Sequence, residues 1–397
     1  MKKILFSVAM AFVLVSCAHD EVIEINRDGD EIQFNVVSDA ATRAEDVYCN
    51  NNMPKQFRVW ANHTNDKEWG GGAPYINGDL IVREGAAAPY TWKNSVATRY
   101  WPEGKVTFWA EVNAGDKFYW NDGAPSIVDY TVDTSVENQK DLLYAATCRT
   151  EEQGDVVLNF RHALSQIVFQ AKNQNPNIHV VINEVKICNL ANKGTIHLNS
   201  ATDGNIVNHD GTGDTAADRN GWEVSYQDHN TLAGGNTDYG VTFDAVAVPG
   251  DGDPRALTST NDTDKEFSSN AMLLLPQTTE PWAPATGNAV PGAETQTGTY
   301  FLVKCKIYNV YDPEEGYQSD YEGDVCLYDD YAAIPVSFDW SEGKKYIYTF
   351  VFGNGNGGYI PVPPGPDPEP VLTPITFEVT VDDFVPVANQ DIAMETE

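Results

Sequence analysis

Few sets of side chains in this sequence combine the residue types and the spacing that a catalytic site requires. His162 follows a strand-like run, but no serine or cysteine elbow, HExxH segment or paired-acid motif accompanies it. Asp382 and Asp383 are adjacent, and neighbouring residues on a strand point to opposite faces, so these two carboxylates cannot readily share one substrate. We therefore predict no catalytic residues, and we interpret His162 as a packing or hydrogen-bonding residue.

One cysteine stands where its spacing predicts a covalent modification. Two lysines precede an apolar run at residues 4–15, which is too short to cross a bilayer as a stable helix and has the shape of a signal peptide. The run ends in LVSC at residues 14–17, the lipobox pattern of bacterial lipoproteins. This pattern implies removal of residues 1–16 and diacylation of Cys17. The alternative is an ordinary signal peptide with a chance cysteine.

The other cysteines and the acidic loops show no recognisable metal or redox spacing. Five cysteines remain besides Cys17, none in a CxxC pair, and their pairing stays open because an odd number cannot all pair: Cys49, Cys148, Cys188, Cys305 and Cys326. We expect Cys188 and Cys305 to be buried. Four aspartates in the stretch from Asn199 to Gly240 miss the EF-hand spacing: Asp203, Asp210, Asp214 and Asp218. We expect solvated loops there, with calcium binding as the open alternative, and we predict no metal and no cofactor.

Composition excludes some partners and indicates real cores. The formal net charge is −33 and the pI is about 4.3, and a chain this acidic repels phosphate backbones, so we expect no nucleic-acid binding. Hydrophobic residues make up 42% of the chain and aromatic residues 11%, which is enough to fill cores over most of its length.

Short runs of β-branched and aromatic residues recur along the chain, separated by Gly, Asn, Asp and Pro. They fall into two sets of seven or eight runs, before and after residue 155, which predicts an all-β protein of two antiparallel β-sandwich domains in tandem. Residues 353–370 are rich in glycine and then in proline, which is typical of a linker.

One strand-like segment stands near each end of the chain. Near the start, Ile32, Phe34 and Val36 alternate with polar residues. The sequence Thr42-Arg43-Ala44 comes shortly after them, among small and polar residues, and we predict that a protease can reach and cut it. After the linker comes a longer segment whose apolar residues share one face: Ile375, Phe377, Val379, Val381, Val385 and Val387. A lone strand is not stable in water, so this last segment must join a sheet in its own chain or in another.

Several motifs together resemble those of the fimbrillins, the type V pilins. They are the lipobox, the site at residues 42–44, LNFRHALS at 158–165, LLLPQ at 273–277, WSEGKKYIY at 340–348 and FEVTVDDF at 377–384. The resemblance covers nearly the whole chain. It implies transthyretin-like sandwich domains and a lipoprotein precursor at the outer membrane. It also implies that an Arg-specific surface protease cuts between Arg43 and Ala44 and removes the first strand. The groove left behind would accept the donor strand of another subunit.

These observations predict the following organisation. Residues 1–16 are a signal peptide, 17–43 a propeptide with the displaced strand, 44–155 and 156–352 two sandwich domains, 353–374 a linker and 375–397 the donor segment. The expected function is a stalk subunit of surface fimbriae that forms a head-to-tail homopolymer and supports adhesion to host or bacterial surface ligands. The alternative is a monomeric, glycan-binding surface lipoprotein. Neither is an enzyme.

Overall fold

The computed structural model of the chain describes most of the region between residues 30 and 383. The described residues are 30–38, 54–63, 74–85, 90–121, 124–151, 154–198, 201–202, 205–206, 222–224, 237–258, 271–282, 298–318, 324–353 and 375–383. Several predicted sites lie outside them: Cys17, Arg43, Ala44, Val385 and Val387, together with Cys49 and the four loop aspartates.

The described chain is nearly all β, which confirms the predicted fold class. It contains 22 strands and one short 3₁₀ turn at Val136–Asn138. The first eleven strands are β1 (Phe34–Ser38), β2 (Gln56–His63), β3 (Ile76–Glu84), β4 (Thr91–Asn94), β5 (Val106–Val112), β6 (Phe118–Asn121), β7 (Ala124–Thr131), β8 (Leu143–Arg149), β9 (Val156–His162), β10 (Ser165–Asn173) and β11 (Ile178–Leu190). The others are β12 (Lys193–His197), β13 (Ala201–Thr202), β14 (Asn205–Ile206), β15 (Trp222–Val224), β16 (Thr237–Val248), β17 (Arg255–Ala256), β18 (Met272–Leu274), β19 (Tyr300–Asn309), β20 (Cys326–Pro335), β21 (Lys344–Phe352) and β22 (Ile375–Asp383). Among these residues no helix has the length and apolarity needed to span a membrane.

Seven strands form the first sheet, in the order β1-β9-β8-β5-β2-β3-β4. Alternation of side chains builds one apolar face: in β9, Val156, Leu158 and Phe160 are buried while Asn159 is exposed. These residues share a hydrophobic core with Phe57 of β2. Strand β1 runs parallel to β9, whereas the other neighbours in this sheet are antiparallel.

The sheets do not divide at residue 155, where the sequence predicted a domain boundary. Strand β9 begins at Val156, directly after that boundary, yet it pairs with β1 and β8 of the first sheet. Strand β7 lies before the boundary and pairs with β12, which lies beyond it. Strand pairing crosses residue 155 because the backbone edge that a strand meets decides its sheet, and local composition does not report that edge. The division into two sandwich domains, with its boundary at residue 155, stays a prediction.

Three larger sheets and one two-stranded ladder contain the remaining strands. Their orders are β17-β10-β21-β22 with β18 also paired to β10, β16-β11-β19-β20, β15-β12-β7-β6, and β13-β14. Aromatic side chains fill the core that these sheets share. Phe301 of β19 meets Phe350 of β21 edge to face, with ring centroids 5.2 Å apart, and Trp340 is fully buried nearby in the same core.

A bulge keeps the long strand β11 facing this core. Val180 and Ile182 point inward, as period-two alternation requires, and the pairing register then shifts between Ile182 and Glu184 against both neighbouring strands. The extra residue brings Val185 and Ile187 back to the buried face. Without that shift the second half of the strand would present its apolar residues to solvent.

A short strand interrupts the stretch from Asn199 to Gly240, which the sequence pattern predicts to be loops. Trp222–Val224 forms β15 and pairs with β12. Trp222 is buried, and its Nε1–H donates a hydrogen bond of 2.6 Å to the carbonyl oxygen of Ala163. Strand β16 already begins at Thr237, so the stretch ends before the predicted limit at Gly240.

Candidate functional site

The first terminal strand buries its whole apolar face in the first sheet. Ile32, Phe34 and Val36 are only 5%, 6% and 6% exposed, while Gln33 and Asn35 between them are exposed. The period-two pattern found in the sequence therefore corresponds to one buried and one solvated face. In the full chain, the residues predicted to be displaced belong to the hydrophobic core.

Hydrogen bonds join this segment to two separate parts of the first sheet. On one side, β1 pairs with β9, and the N–H of Val156 donates to the carbonyl of Gln33 at 2.8 Å. On the other side, the N–H of Ile32 donates to Arg99 at 2.8 Å, and the N–H of Trp101 donates to Asp30 at 3.0 Å. Residues 99–101 follow β4, the last strand of the sheet, so the segment bridges from β9 to the chain beyond the opposite edge.

Aromatic rings line the place that this segment occupies. Phe34 meets Phe57 and Phe108 edge to face, each with ring centroids 6.0 Å apart. Phe57 in turn meets Phe160 of β9 at 5.4 Å, and Trp101 meets Phe108 at 5.8 Å. We call the site lined by these four rings and by the edge of β9 the β1 trough. Without β1, it would expose apolar side chains together with unpaired backbone groups.

The last strand, β22, joins its own chain along the free edge of β21. The two strands are antiparallel over their full length, from Ile375 opposite Phe352 to Asp383 opposite Lys344. The prediction that this segment must join some sheet is therefore confirmed. Its place at the end of the order β17-β10-β21-β22 makes it an edge strand.

That position covers only the beginning of the apolar face of β22. Ile375 is fully buried, and the half-buried Phe377 packs against Phe301 and Tyr348, with ring centroids 5.8 and 6.2 Å apart. Val379 and Val381 on the same face are 43% and 54% exposed. Half of this face thus remains in contact with water, in contrast to that of β1.

One ion pair ties the outward face of β22 to β10, which lies two strands away in the same sheet. Lys172 Nζ of β10 lies 2.7 Å from Glu378 Oε2, and the glutamate side chain is largely exposed. An exposed pair of this kind stabilises by about 0–1 kcal/mol. This contact therefore holds β22 weakly, and the burial of Ile375 and Phe377 contributes more.

His162 takes the packing role expected of it. Its Nδ1 lies 2.8 Å from Asp141 Oδ2, and both side chains are buried. Sequence patterns did not point to Asp141, which lies outside any recognisable motif. In the described part of the chain no three His, Cys, Asp or Glu residues come together as metal ligands.

The buried cysteines behave as small apolar side chains, as predicted. Cys188 and Cys305 are buried, and burial raises the pKa of both thiols, that of Cys305 to about 12. A thiol with so high a pKa stays protonated and is a poor nucleophile. The four cysteines within the described ranges are all unpaired, and Cys326 is exposed.

Two buried glutamates were not anticipated from the sequence. Burial raises the pKa of Glu111 to about 7, against the lowering effect of the Ala114 N–H that donates to its Oε2 at 2.7 Å. Burial also raises the pKa of Glu342 to about 7. Glu111 stands in an ordinary strand and Glu342 in the motif WSEGKKYIY, and neither pattern indicates a buried carboxyl group, so only the fold identifies them.

Comparison with known proteins gives the family. The sequence profile described as fimbrillin-like matches residues 42–383. The chain belongs to the fimbrillin-like family. Fimbrillins are the structural subunits of cell-surface fimbriae, so this fimbrillin-like protein has the role of a fimbrial subunit and not that of an enzyme.

Among the solved structures to which the chain is similar, the first named here has a TM-score above 0.5 and therefore supports the fold. A fimbrial protein from Bacteroides vulgatus ATCC 8482 is 14% identical, with a TM-score of 0.55, over 90% of this chain and 100% of its own. A candidate cell adhesion protein from Parabacteroides distasonis ATCC 8503 is 10% identical, with a TM-score of 0.44, over 89% and 99%. One from Bacteroides uniformis ATCC 8492 is 12% identical, with a TM-score of 0.39, over 90% and 99%. No curated protein sequence matches the chain.

Proposed function

We propose that this fimbrillin-like protein is a stalk subunit that polymerises by protease-triggered exchange of its terminal strands. The precursor is acylated at Cys17 and held at the outer membrane. An Arg-specific surface protease then cuts between Arg43 and Ala44. The segment carrying β1 leaves, and residues 375–387 of another subunit enter the site that it vacates.

The observation that carries this proposal is the burial of β1 ahead of the cleavage site. Arg43 lies between β1 and β2, so a cut after it leaves β1 held by hydrogen bonds and packing alone. Burying Ile32, Phe34 and Val36 at roughly 1.5–3 kcal/mol each gives about 4.5–9 kcal/mol of attraction. An attraction of this size means that β1 dissociates slowly unless another strand replaces it in the trough.

The half-covered face of β22 supplies the replacement. Val379 and Val381 are exposed in the subunit's own sheet, and a trough that buried Val379 would add to the attraction. Adding an extended strand to an open sheet edge restores main-chain hydrogen bonds while side chains fill pockets. The donor and the acceptor are different surfaces of the same chain, so the contact is head-to-tail and generates an open filament.

The test compares filament formation by electron microscopy and by heat-resistant ladders on gels. Wild-type protein treated with an Arg-specific protease should give both. Arg43→Ala keeps β1 in the trough and should give neither alone. The double variant Phe377→Asp, Val379→Asp should also fail, because a charge buried without a partner costs several kcal/mol.

A matched control adds the same charge to the solvent-facing side of the donor strand. Thr376→Asp with Thr380→Asp should polymerise like wild type, because these side chains alternate with the apolar face. Ladders from the Phe377→Asp, Val379→Asp protein equal to those of wild type would rule out strand donation through this segment. Binding of polysaccharide by a monomer that keeps its lipid and β1 would favour the glycan-binding alternative.

A further inference from the structure

We infer that the donor strand copies the strand it replaces, side chain for side chain and in the same direction. Ile375, Phe377 and Val379 of one subunit take the sites of Ile32, Phe34 and Val36 in the next, parallel to β9. This inference rests on the proposed strand exchange and specifies its register.

The two terminal strands carry the same apolar residues in the same order. Residues 32–36 are IQFNV, and residues 375–379 are ITFEV. In both, the apolar residues stand at alternate positions and the intervening residues are polar. In β1 these polar residues are exposed. Thr376 and Glu378 would therefore face solvent in the places of Gln33 and Asn35.

The central position of the trough requires a ring. Phe34 lies edge to face with both Phe57 and Phe108 at 6.0 Å and is almost fully buried. A smaller side chain would leave a void between these rings, and a void in a packed core is unfavourable. Phe377 is the aromatic residue within the described part of the donor strand, so its position sets the register of the whole segment.

Val379 has more to gain from the trough than from its present place. Val36 is 6% exposed in the trough, whereas Val379 is 43% exposed beside β21. Ile375 is buried in its own sheet and would be buried again at the site of Ile32, so its transfer is nearly neutral. The exchange therefore removes apolar surface of Val379 from water, while Ile375 stays buried before and after it.

Side-chain volume decides the direction of the inserted strand. The parallel arrangement puts isoleucine, phenylalanine and valine where the same residues stood. The reversed strand keeps Phe377 at the central position but places Val379 at the site of Ile32 and Ile375 at that of Val36. One site would then be short of a methylene and the other would hold one too many, and both faults are unfavourable in a close-packed core.

Engineered disulfides distinguish the two directions. Asn35 stands opposite Val157 of β9. In the proposed register Glu378 takes the place of Asn35, so Glu378→Cys and Val157→Cys bring two cysteines within bonding range between subunits. In the reversed strand Thr376 takes that place. Thr376→Cys with Val157→Cys is therefore the matched control, and both chains carry Cys326→Ser to remove the native thiol that is exposed among the described residues.

The experiment uses the full chain, cut by an Arg-specific protease and oxidised after filaments form. We expect a covalent ladder on non-reducing gels from the Glu378→Cys chain, and at least tenfold less from the Thr376→Cys chain. Mass spectrometry of the linked peptides should identify residues 157 and 378. A ladder through Thr376→Cys, or filaments that link through neither, would overturn the register while leaving strand exchange in place. If the parent chain with native residues at 157, 376 and 378 forms no filaments, strand exchange itself is wrong.

A side-chain pair tests the same register without new cysteines. Phe377→Ala should slow filament extension at least tenfold, because it leaves the central position of the trough unfilled. Val381→Ala should change the rate less than threefold, because this residue would stand at the site of Ser38, beyond the three matched positions. Phe377→Ala also loosens β22 from Phe301 and Tyr348, which would speed its release, so slower extension cannot come from that contact. Equal effects of the two substitutions would overturn the register.

Discussion

The hydroxyl group of Tyr144 donates a hydrogen bond of 2.7 Å to Oε1 of Glu342. This bond joins β8 of the first sheet to the turn that precedes β21. The other carboxylate oxygen of Glu342 is buried, and burial raises the pKa of this carboxyl group to about 7. Burial and the adjacent carboxylate together hold the pKa of Tyr144 well above its usual range, so the hydroxyl remains a donor. The contact makes the junction between the two sheets sensitive to protonation.

The first prediction concerns pH. In the unfolded chain a glutamate titrates near 4.5, and in the folded chain Glu111 and Glu342 titrate near 7. Between these values the folded state holds more protons than the unfolded state, so the free energy of unfolding falls as pH rises through this window. Each glutamate accounts for a loss of about 3 kcal/mol, an upper bound from the shift. Urea unfolding at a series of pH values measures it.

Glutamine variants isolate these contributions from the general charge of the chain. Glu342→Gln keeps an acceptor for Tyr144 but cannot titrate, and Glu111→Gln keeps one for Ala114. The free energy of unfolding of each variant, relative to wild type, should increase between pH 4.5 and pH 7. Glu84→Gln, at an exposed position, should show no such trend. A constant difference across the window would refute the assignment.

The second prediction concerns the core role of β1 in the precursor. Phe34→Ala removes a ring that contacts Phe57 and Phe108, and it should lower the free energy of unfolding by about 3–5 kcal/mol. Asn35→Ala, on the exposed face, should change it by less than about 0.5 kcal/mol. Guanidinium unfolding of the uncut protein measures both. The two cut proteins should be equally stable once the β1 peptide is removed, and a persistent difference would contradict the loss of this strand.

The third prediction concerns lipidation. Cys17→Ala removes the sulfur that the lipobox presents, so the precursor should no longer incorporate radiolabelled palmitate and should collect in the periplasm or the medium. Cys326→Ser, which changes an exposed cysteine far from the lipobox, is the control and should label like wild type. Label entering the Cys17→Ala protein would show that the attachment site lies elsewhere.

The fourth prediction concerns a backbone position that only glycine fits. Gly298 has a φ of +87°, and a Cβ atom there would lie 2.5 Å from the backbone of Pro281. The two backbone segments lie close together here because the N–H of Trp282 donates a hydrogen bond of 2.9 Å to the carbonyl oxygen of Thr299. Gly298→Ala should therefore lower the midpoint of thermal unfolding by several degrees, because both the conformation and the space are unsuitable.

An open glycine at a similar backbone angle provides the comparison. Gly316 has a φ of +76°, and a Cβ there would meet nothing within 4 Å. Gly316→Ala should show only the smaller penalty of the left-handed backbone. If the two variants have the same midpoint of thermal unfolding, the close approach to Pro281 does not account for the destabilisation in Gly298→Ala.

Much of the strand content follows from local pattern. The alternation of Ile32, Phe34 and Val36 predicted a strand with one buried face, and the alternation from Ile375 predicted another. Both are strands in the structure. Such patterns are readable because a β-strand puts alternate side chains on opposite faces, whatever the strand later pairs with. The start of β16, at residues 237–240, lies within the stretch expected to be loops because that stretch is rich in Asp, Asn and Gly.

The residues that line the β1 trough were harder to predict from the sequence than the terminal strands. Phe57, Phe108 and Phe160 each stand in a short run of β-branched and aromatic residues, yet nothing local shows that their rings line one site around Phe34. Their convergence depends on the order of strands in the sheet. The burial of the Glu342 carboxyl group could not be predicted for the same reason. Its partner Tyr144 lies in β8, far away in the sequence.

The order of residues is enough to show that the chain is built of strands, that Cys17 stands in a lipobox and that two terminal segments have one apolar face each. The packed fold was needed to show that β1 lies parallel to β9 and that β22 lies on β21 with Val379 and Val381 uncovered. The difference has one physical reason. Alternation is a property of neighbouring residues, whereas the choice of a strand's partner depends on which sheet edges and apolar faces meet once the whole chain has packed.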